Sequence, residues 1–425
     1  MGNKTNKWSQ VWGMMQVLIL CLLTACESGE LPTPAPVPQP VPNTLPEWTI
    51  LKEFTANDLQ EIMQQMGQSR LSVIGSIPHY PGEVQLRAIK VKCHLVHPAG
   101  RAEVISLSGL LLLPPACDSS RLHSQLLTLP YTYVLNRQAP TRQLIDYNPK
   151  QLEAFVLFGM LQAMRGYVVL IPDYPGFGDS FGQCAIPYVE RRPMVLATIN
   201  FIRATQQVLQ VLHYRRKDEL IITGYSLGAY VATQTARALE TGDAKADKLT
   251  IDKLWVGGTP CDLKRIADEA KVADHLPTPY LLPLAINSYR QNGYSSLAVD
   301  RILQAPYAAQ LSARFDGTNL SYAQGLPSRA SELFTENFIH DDAYTRDTVN
   351  KILQENSLQP WTNRCAFIML HGATDSTVYL DNARAYADLH NASGGRVDFQ
   401  VIPGNHNKAG IFYYLYLILH LPEDR

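Results

Sequence analysis

Leu220-Ile221-Ile222-Thr223-Gly224-Tyr225-Ser226-Leu227-Gly228-Ala229-Tyr230-Val231-Ala232 is the stretch on which the reading of this chain turns. Leu220 to Ile222 reads as a strand buried on both faces, as in a parallel sheet. Leu227 to Leu239, rich in small residues, reads as a helix. Between them the chain must turn sharply, and Gly224 and Gly228 keep side-chain bulk out of that turn. Such a turn projects the Ser226 hydroxyl into a cleft as a candidate nucleophile. The plainer alternative is a serine that merely caps the helix. A chain of this length yields on the order of 0.1 chance Gly-x-Ser-x-Gly strings, so the strand before it and the helix after it carry the weight.

Outward from this turn the order is strand, strand, strand, then alternating helix and strand, the pattern of an α/β sheet with an antiparallel start. Strands are expected at Ala88 to Val96, Glu103 to Leu113, Gln125 to Tyr131, Tyr167 to Ile171, and Lys253 to Val256. Helices are expected at Gln151 to Arg165 and Val189 to His213. The alternation breaks from Asp262 to Trp361, too long for a connection, and resumes with strands at Ala366 to Leu370 and Val397 to Ile402. Helices at Val378 to His390 and Lys408 to Leu421 complete it. The expectation is a mostly parallel sheet of about eight strands flanked by helices, with a helical cap, residues 262–361, inserted after the sixth strand. The remainder, 48–261 and 362–425, forms the catalytic domain.

A serine at its ordinary pKa needs a base, and the base needs an acid to orient it. Where the serine sits on a strand-to-helix turn, the acid follows a late strand and the histidine the last one. Asp375, in His371-Gly372-Ala373-Thr374-Asp375, and His406, in Pro403-Gly404-Asn405-His406, occupy those places at strand carboxyl ends. Asp262 is the first alternative acid, and Asp381 begins a helix. His390 and His420 lie on helices and read as packing or surface residues. His371 is too close in sequence to Asp375 to serve as its base and reads as a supporting hydrogen-bonding group. The oxyanion requires two backbone N–H donors. Leu227 supplies one, and Thr132 in Pro130-Tyr131-Thr132-Tyr133 is the candidate for the other, with Tyr133 next.

The chain has 425 residues, 46% hydrophobic and 18% charged, with a net charge of -1. That composition buries a large core and offers no basic field for nucleic acid. Lys4 and Lys7 precede an apolar run from Val11 to Leu23 that ends in Leu23-Thr24-Ala25-Cys26, a secretion signal over residues 1–25. Leu-Thr-Ala-Cys resembles the lipobox of bacterial lipoproteins, which implies lipidation of Cys26, contact with a lipid bilayer, and a cell-envelope location facing the periplasm or the cell surface. The alternative is an ordinary signal peptide, or an uncleaved anchor, in which Cys26 follows Ala25 by chance. Prolines at 32, 34, 36, 38, 40, 42 and 46 make 26–47 an extended tether; sixteen such positions span on the order of 50 Å. The five remaining cysteines, 93, 117, 184, 261 and 365, have no metal-type spacing and are assigned no bridges. His340-Asp341-Asp342 reads as a polar turn rather than a cation site. No metal or nucleotide motif is present.

Taken together, Pro172-Asp173-Tyr174-Pro175-Gly176-Phe177-Gly178-Asp179-Ser180, the Ser226 motif, Gly257-Gly258-Thr259-Pro260-Cys261-Asp262-Leu263, His371 to Asp375 and Gly404-Asn405-His406 resemble the secretory lipase family of α/β-hydrolases. The resemblance spans Leu86 to the C-terminus. It implies the α/β-hydrolase fold and hydrolysis of an ester substrate without cofactor. The chain departs from that family's pattern at the oxyanion loop and at Ile186-Pro187-Tyr188, so acyl preference is not carried over. Leu276 to Ile286, apolar and broken by prolines, is either the cap's own core or a wall of an acyl pocket. A serine peptidase of the same fold and an inactive surface-binding lipoprotein are the rival readings, and oligomeric state is not legible.

Overall fold

The computed structural model describes residues 45–66, 82–115, 121–243, 249–422 and 424. The signal segment, Cys26, Cys117 and the tether up to residue 44 lie outside them. The chain first forms β1 (Glu47–Thr55) and α1 (Ala56–Met66), then β2 (Val84–Val96), β3 (Val104–Leu113) and β4 (His123–Leu129). Helices α2 (Pro140–Ile145) and α3 (Ala154–Met164) lead to β5 (Val168–Pro172). The alternation continues through α4 (Arg191–Val211), β6 (Arg216–Tyr225), α5 (Leu227–Thr241) and β7 (Thr250–Gly257). An insertion follows, with α6 (Leu263–Lys271), α7 (Leu281–Asn292), α8 (Ala305–Arg314), α9 (Ala330–Leu333), α10 (Glu336–Ile339) and α11 (Asn350–Asn356). β8 (Ala366–Gly372), α12 (Leu380–Ala392), β9 (Asp398–Ile402) and α13 (His406–His420) close the chain.

Among the described residues the strands form one sheet of nine, in the order β1-β2-β3-β5-β4-β6-β7-β8-β9. β1 to β3 run antiparallel, as do β3 and β5, and every later pair is parallel. The hairpin between β2 and β3 closes where His97 N–H donates to Glu103 O (2.8 Å) and Gly100 adopts φ +69°, a left-handed turn suited to glycine. The central strands are buried on both faces, β5 along its whole length, which is why they read as unbroken apolar runs.

Two features depart from the expected layout. β1 and α1 precede the first strand read from the sequence, so the insertion follows the seventh strand in chain order rather than the sixth. The insertion also shares the main apolar core: Leu284, Tyr289, Leu303 and Phe338 are buried in one cluster with the sheet residues. The end of the Leu276 to Ile286 segment belongs to that core, with Pro283, Leu284, Ala285 and Ile286 buried. No helix among the described residues is long and apolar enough to cross a membrane.

Candidate active site

Ser226 sits between β6 and α5 with φ 56° and ψ -120°, a conformation that costs a non-glycine residue of order 1–3 kcal/mol. The surrounding backbone holds it there. A Cβ on Gly224 would lie 2.3 Å from the Gly228 carbonyl, and one on Gly228 would lie 2.1 Å from Leu129 O. Glycine at both positions therefore lets strand, helix and the end of β4 meet backbone to backbone. Ser226 N–H donates to Gly257 O (2.8 Å), tying the turn to β7 as well.

His406 is the first residue of α13, whose N-cap Asn405 accepts from Lys408 N–H (3.1 Å). Its Nε2 lies 3.0 Å from Ser226 Oγ and its Nδ1 lies 2.6 Å from Asp375 Oδ2. Asp375 is 4% exposed. Its other oxygen accepts the backbone N–H groups of Thr377 and Val378, both at 2.9 Å, so the buried carboxylate is compensated on both sides. The structure thus brings three residues named from separate motifs into one hydrogen-bonded chain.

The other candidates are engaged elsewhere. Asp262 caps α6 by accepting from Arg265 N–H at 3.0 Å. His390 is buried beside Trp361 and Phe367, and that burial pushes its pKa down to about 4. His420 stacks on Tyr416 at the surface. His371 is fully buried, which lowers its pKa, and its Nε2–H donates to Val378 O (2.8 Å), bracing the Asp375 loop. Asp341 pairs with Lys271 (2.7 Å) and Asp342 with Arg301. No cluster able to hold a metal occurs among the described residues, and Cys93, Cys184, Cys261 and Cys365 are unbridged.

Leu227 opens α5, so its N–H has no acceptor within the helix. Pro130 follows the Leu129 carbonyl that touches Gly228, which brings the 130–133 loop to the same helix end. Thr132 lines the cavity at Ser226, with its hydroxyl 3.2 Å from Tyr188 OH, whereas Tyr133 is buried and accepts from Tyr174 N–H (3.1 Å). That cavity, about 700 Å³, is lined by Ser226, His406, residues of α3 and α13, and Pro277, Thr278, Tyr280 and Leu281 of the insertion.

The secretory lipase family profile matches residues 145–408, more than half of the chain. The chain belongs to the secretory lipase family. Family membership makes this an ester hydrolase and points to export. Among solved structures, a putative hydrolase from Legionella pneumophila superposes with TM-score 0.73 at 19% identity, covering 88% of this chain and 95% of that one. The rice cell wall degrading esterase LipA from Xanthomonas oryzae gives 0.71 at 20% identity, covering 89% and 97%. Candida antarctica lipase A in its closed state gives 0.58 at 16%, covering 79% and 78%. At these identities the likeness is one of fold. No curated protein sequence matches the chain.

Around the candidate site, several contributors were not singled out from the sequence. Tyr225 OH donates to His406 O (2.6 Å), and Tyr413 OH accepts from Gly224 N–H (2.9 Å) while donating to Trp255 O (2.7 Å). These two tyrosines lock α13 to β6 and β7. Tyr131 OH donates to Glu153 (2.5 Å), holding the 130–133 loop to the start of α3. Only the apolar-aromatic character of α13 hinted at such packing.

Proposed function

We propose that the chain is a serine carboxylic ester hydrolase in which Ser226 is the nucleophile, His406 the general base and acid, and Asp375 the group that orients the imidazole. The observation that supports this most directly is the continuous Asp375–His406–Ser226 hydrogen-bonded chain at 2.6 and 3.0 Å. Ser226 Oγ attacks the ester carbonyl as His406 Nε2 takes its proton. Asp375, hydrogen-bonded to Nδ1–H, fixes the tautomer and stabilises the imidazolium. The N–H groups of Leu227 and Thr132 hold the oxyanion. His406 then protonates the departing alcohol, and water, activated by the same nitrogen, releases the acid from the acyl-enzyme.

Export with lipid attachment at Cys26, the tether 26–47, and a lid role for 262–361 belong to the same reading. Cys26→Ser is expected to move the protein from the membrane fraction to the soluble fraction. Ser226→Ala is expected to abolish turnover of p-nitrophenyl esters and labelling by a fluorophosphonate; retention of either overturns the assignment of Ser226.

A further inference from the structure

The 130–133 loop carries no glycine, and side chains hold it in place. Tyr174 OH donates to Pro130 O (2.7 Å) and Tyr131 OH to Glu153 (2.5 Å). A further tie is a pair of hydroxyls, with Thr132 Oγ 3.2 Å from Tyr188 OH. Thr132 lines the cavity at Ser226, whereas Tyr188 stands outside that lining and is 7% exposed. The chain on both sides of Tyr188 is fixed. Asn292 Nδ2 donates to Ile186 O (3.3 Å), and Tyr230 OH and Tyr289 OH donate to Val189 O (3.1 and 3.2 Å). Two hydroxyls carry two hydrogens, and the bond between them uses one. Among the described residues Thr132 is the sole hydrogen-bond partner of Tyr188 OH, so the buried Tyr188 hydrogen has only Thr132 Oγ to go to. Left unused, it would cost a hydrogen bond. Tyr188 is therefore the donor, and Thr132 Oγ, which accepts and donates at once, keeps its own hydrogen for the cavity.

We propose that the Thr132 hydroxyl is a third hydrogen-bond donor to the oxyanion, beside the N–H groups of Leu227 and Thr132, and that Tyr188 positions it. The inference rests on the proposed roles of Ser226 and of those two N–H groups. As Ser226 Oγ bonds to the ester carbon, the carbonyl π electrons move onto the oxygen. A donor already aimed at that oxygen stabilises the charge without reorganising. Accepting from Tyr188 holds Thr132 Oγ in one orientation, and the polarisation of linked hydrogen bonds makes its own hydrogen a stronger donor. Neither hydroxyl gives up its proton. Tyr188 does not touch the substrate and is a positioning residue. Asn292 and Tyr289 belong to α7, so through this bond the insertion helps to set the charge-stabilising site.

The test is steady-state kinetics of the full chain on p-nitrophenyl acetate, with inhibition by a small trifluoromethyl ketone, to which Ser226 adds to give the same oxyanion. Thr132→Val keeps the N–H and the side-chain shape but deletes the hydroxyl. Its kcat is expected to fall at least tenfold with KM little changed, the mark of an interaction made only in the transition state. Ki for the ketone is expected to rise in step. A kcat loss under tenfold, or an unmoved Ki, overturns the hydroxyl as a donor. Thr132→Ser restores the hydroxyl and is expected to recover most of the activity; a loss equal to that of Thr132→Val assigns the effect to shape and overturns the proposal. Tyr188→Phe keeps the ring and is expected to lower kcat at least threefold in the wild type and to change nothing further in Thr132→Val. A smaller loss, or losses that multiply in the double variant, overturns the positioning role. Urea unfolding verifies that each variant is folded, and Thr132→Ala replaces Thr132→Val under the same criteria if it is not. Stoichiometric labelling by a small fluorophosphonate separates these outcomes from failure of the Ser226 assignment, which would abolish labelling in the wild type as well.

Discussion

The turn at Ser226 and the seat of the helical insertion are held by opposite means. At the turn, backbone meets backbone with glycine at the contacts, and the strained serine is gripped from β4, β7 and α5. At the insertion, polar side chains join the apolar packing. Glu190, 3% exposed, accepts from Ser288 Oγ (2.5 Å), and Tyr289 OH reaches Val189 O (3.2 Å). Tyr230 OH, 2.7 Å from Asn356 O, and Arg191 N–H, donating to Asn356 Oδ1 (2.9 Å), complete the seat. Among the described residues no positive side chain pairs with the Glu190 carboxyl, and burial pushes its pKa up to about 8. The chemistry thus stands on a frame that does not titrate, while the attachment of the insertion does.

The sharpest way to break this contrast is to leave the frame intact and remove the carboxylate behind His406. Asp375→Asn keeps the side-chain volume but favours the wrong histidine tautomer, and a kcat loss on the order of 10⁴-fold is expected. Steady-state kinetics on a short p-nitrophenyl ester measures it; a loss under tenfold removes Asp375 from the proposed chain. Gly228→Val attacks the frame itself. Its side chain must displace the Leu129 carbonyl, so destabilisation of about 3–5 kcal/mol is expected in urea unfolding, and a midpoint within error of wild type contradicts the backbone contact.

On the other side of the contrast, the folded chain keeps a proton on Glu190 that the unfolded chain releases near the ordinary carboxyl pKa of 4.5. Between pH 4.5 and about 8 the unfolded state therefore binds fewer protons, and stability falls as pH rises through that window. Glu190→Gln removes the slope. The variant is expected to match wild type near pH 5 and to exceed it by a few kcal/mol at pH 8.5, an order of magnitude set by 1.36 kcal/mol per pH unit. Unfolding at both pH values reads the difference; parallel pH profiles refute the buried acid.

What was legible in the sequence follows the same division. Ser226, Asp375 and His406 each sit within a few residues of an apolar strand, so local pattern suffices to place them just beyond strand carboxyl ends. β1 was not legible because it is an edge strand whose residues from Glu47 to Ile50 are exposed, leaving no alternation to read. Glu190 was missed because glutamate in a sequence reads as surface, and only the packing of α7 against the 186–190 segment buries it. The Leu129–Gly228 contact joins residues almost a hundred positions apart. A glycine can be read as needed there, but its neighbour cannot.

The smallest expected effect tests whether the frame extends to the base. Tyr225 OH donates to the carbonyl of His406, and the Tyr225 ring fills the space against Gly257, Gly258 and Gly410. Tyr225→Phe keeps the ring and deletes only the hydrogen bond, so stability should fall by about 1 kcal/mol. If the hydroxyl positions the imidazole, kcat on a short ester falls several-fold while KM is unchanged, because a misplaced base weakens the transition state without altering ground-state binding. A purely structural role predicts the stability loss with kcat intact. That outcome would confine the grip on His406 to Asp375 and the N-cap of α13, making the first turn of that helix, rather than the β6 turn, the element that sets the base.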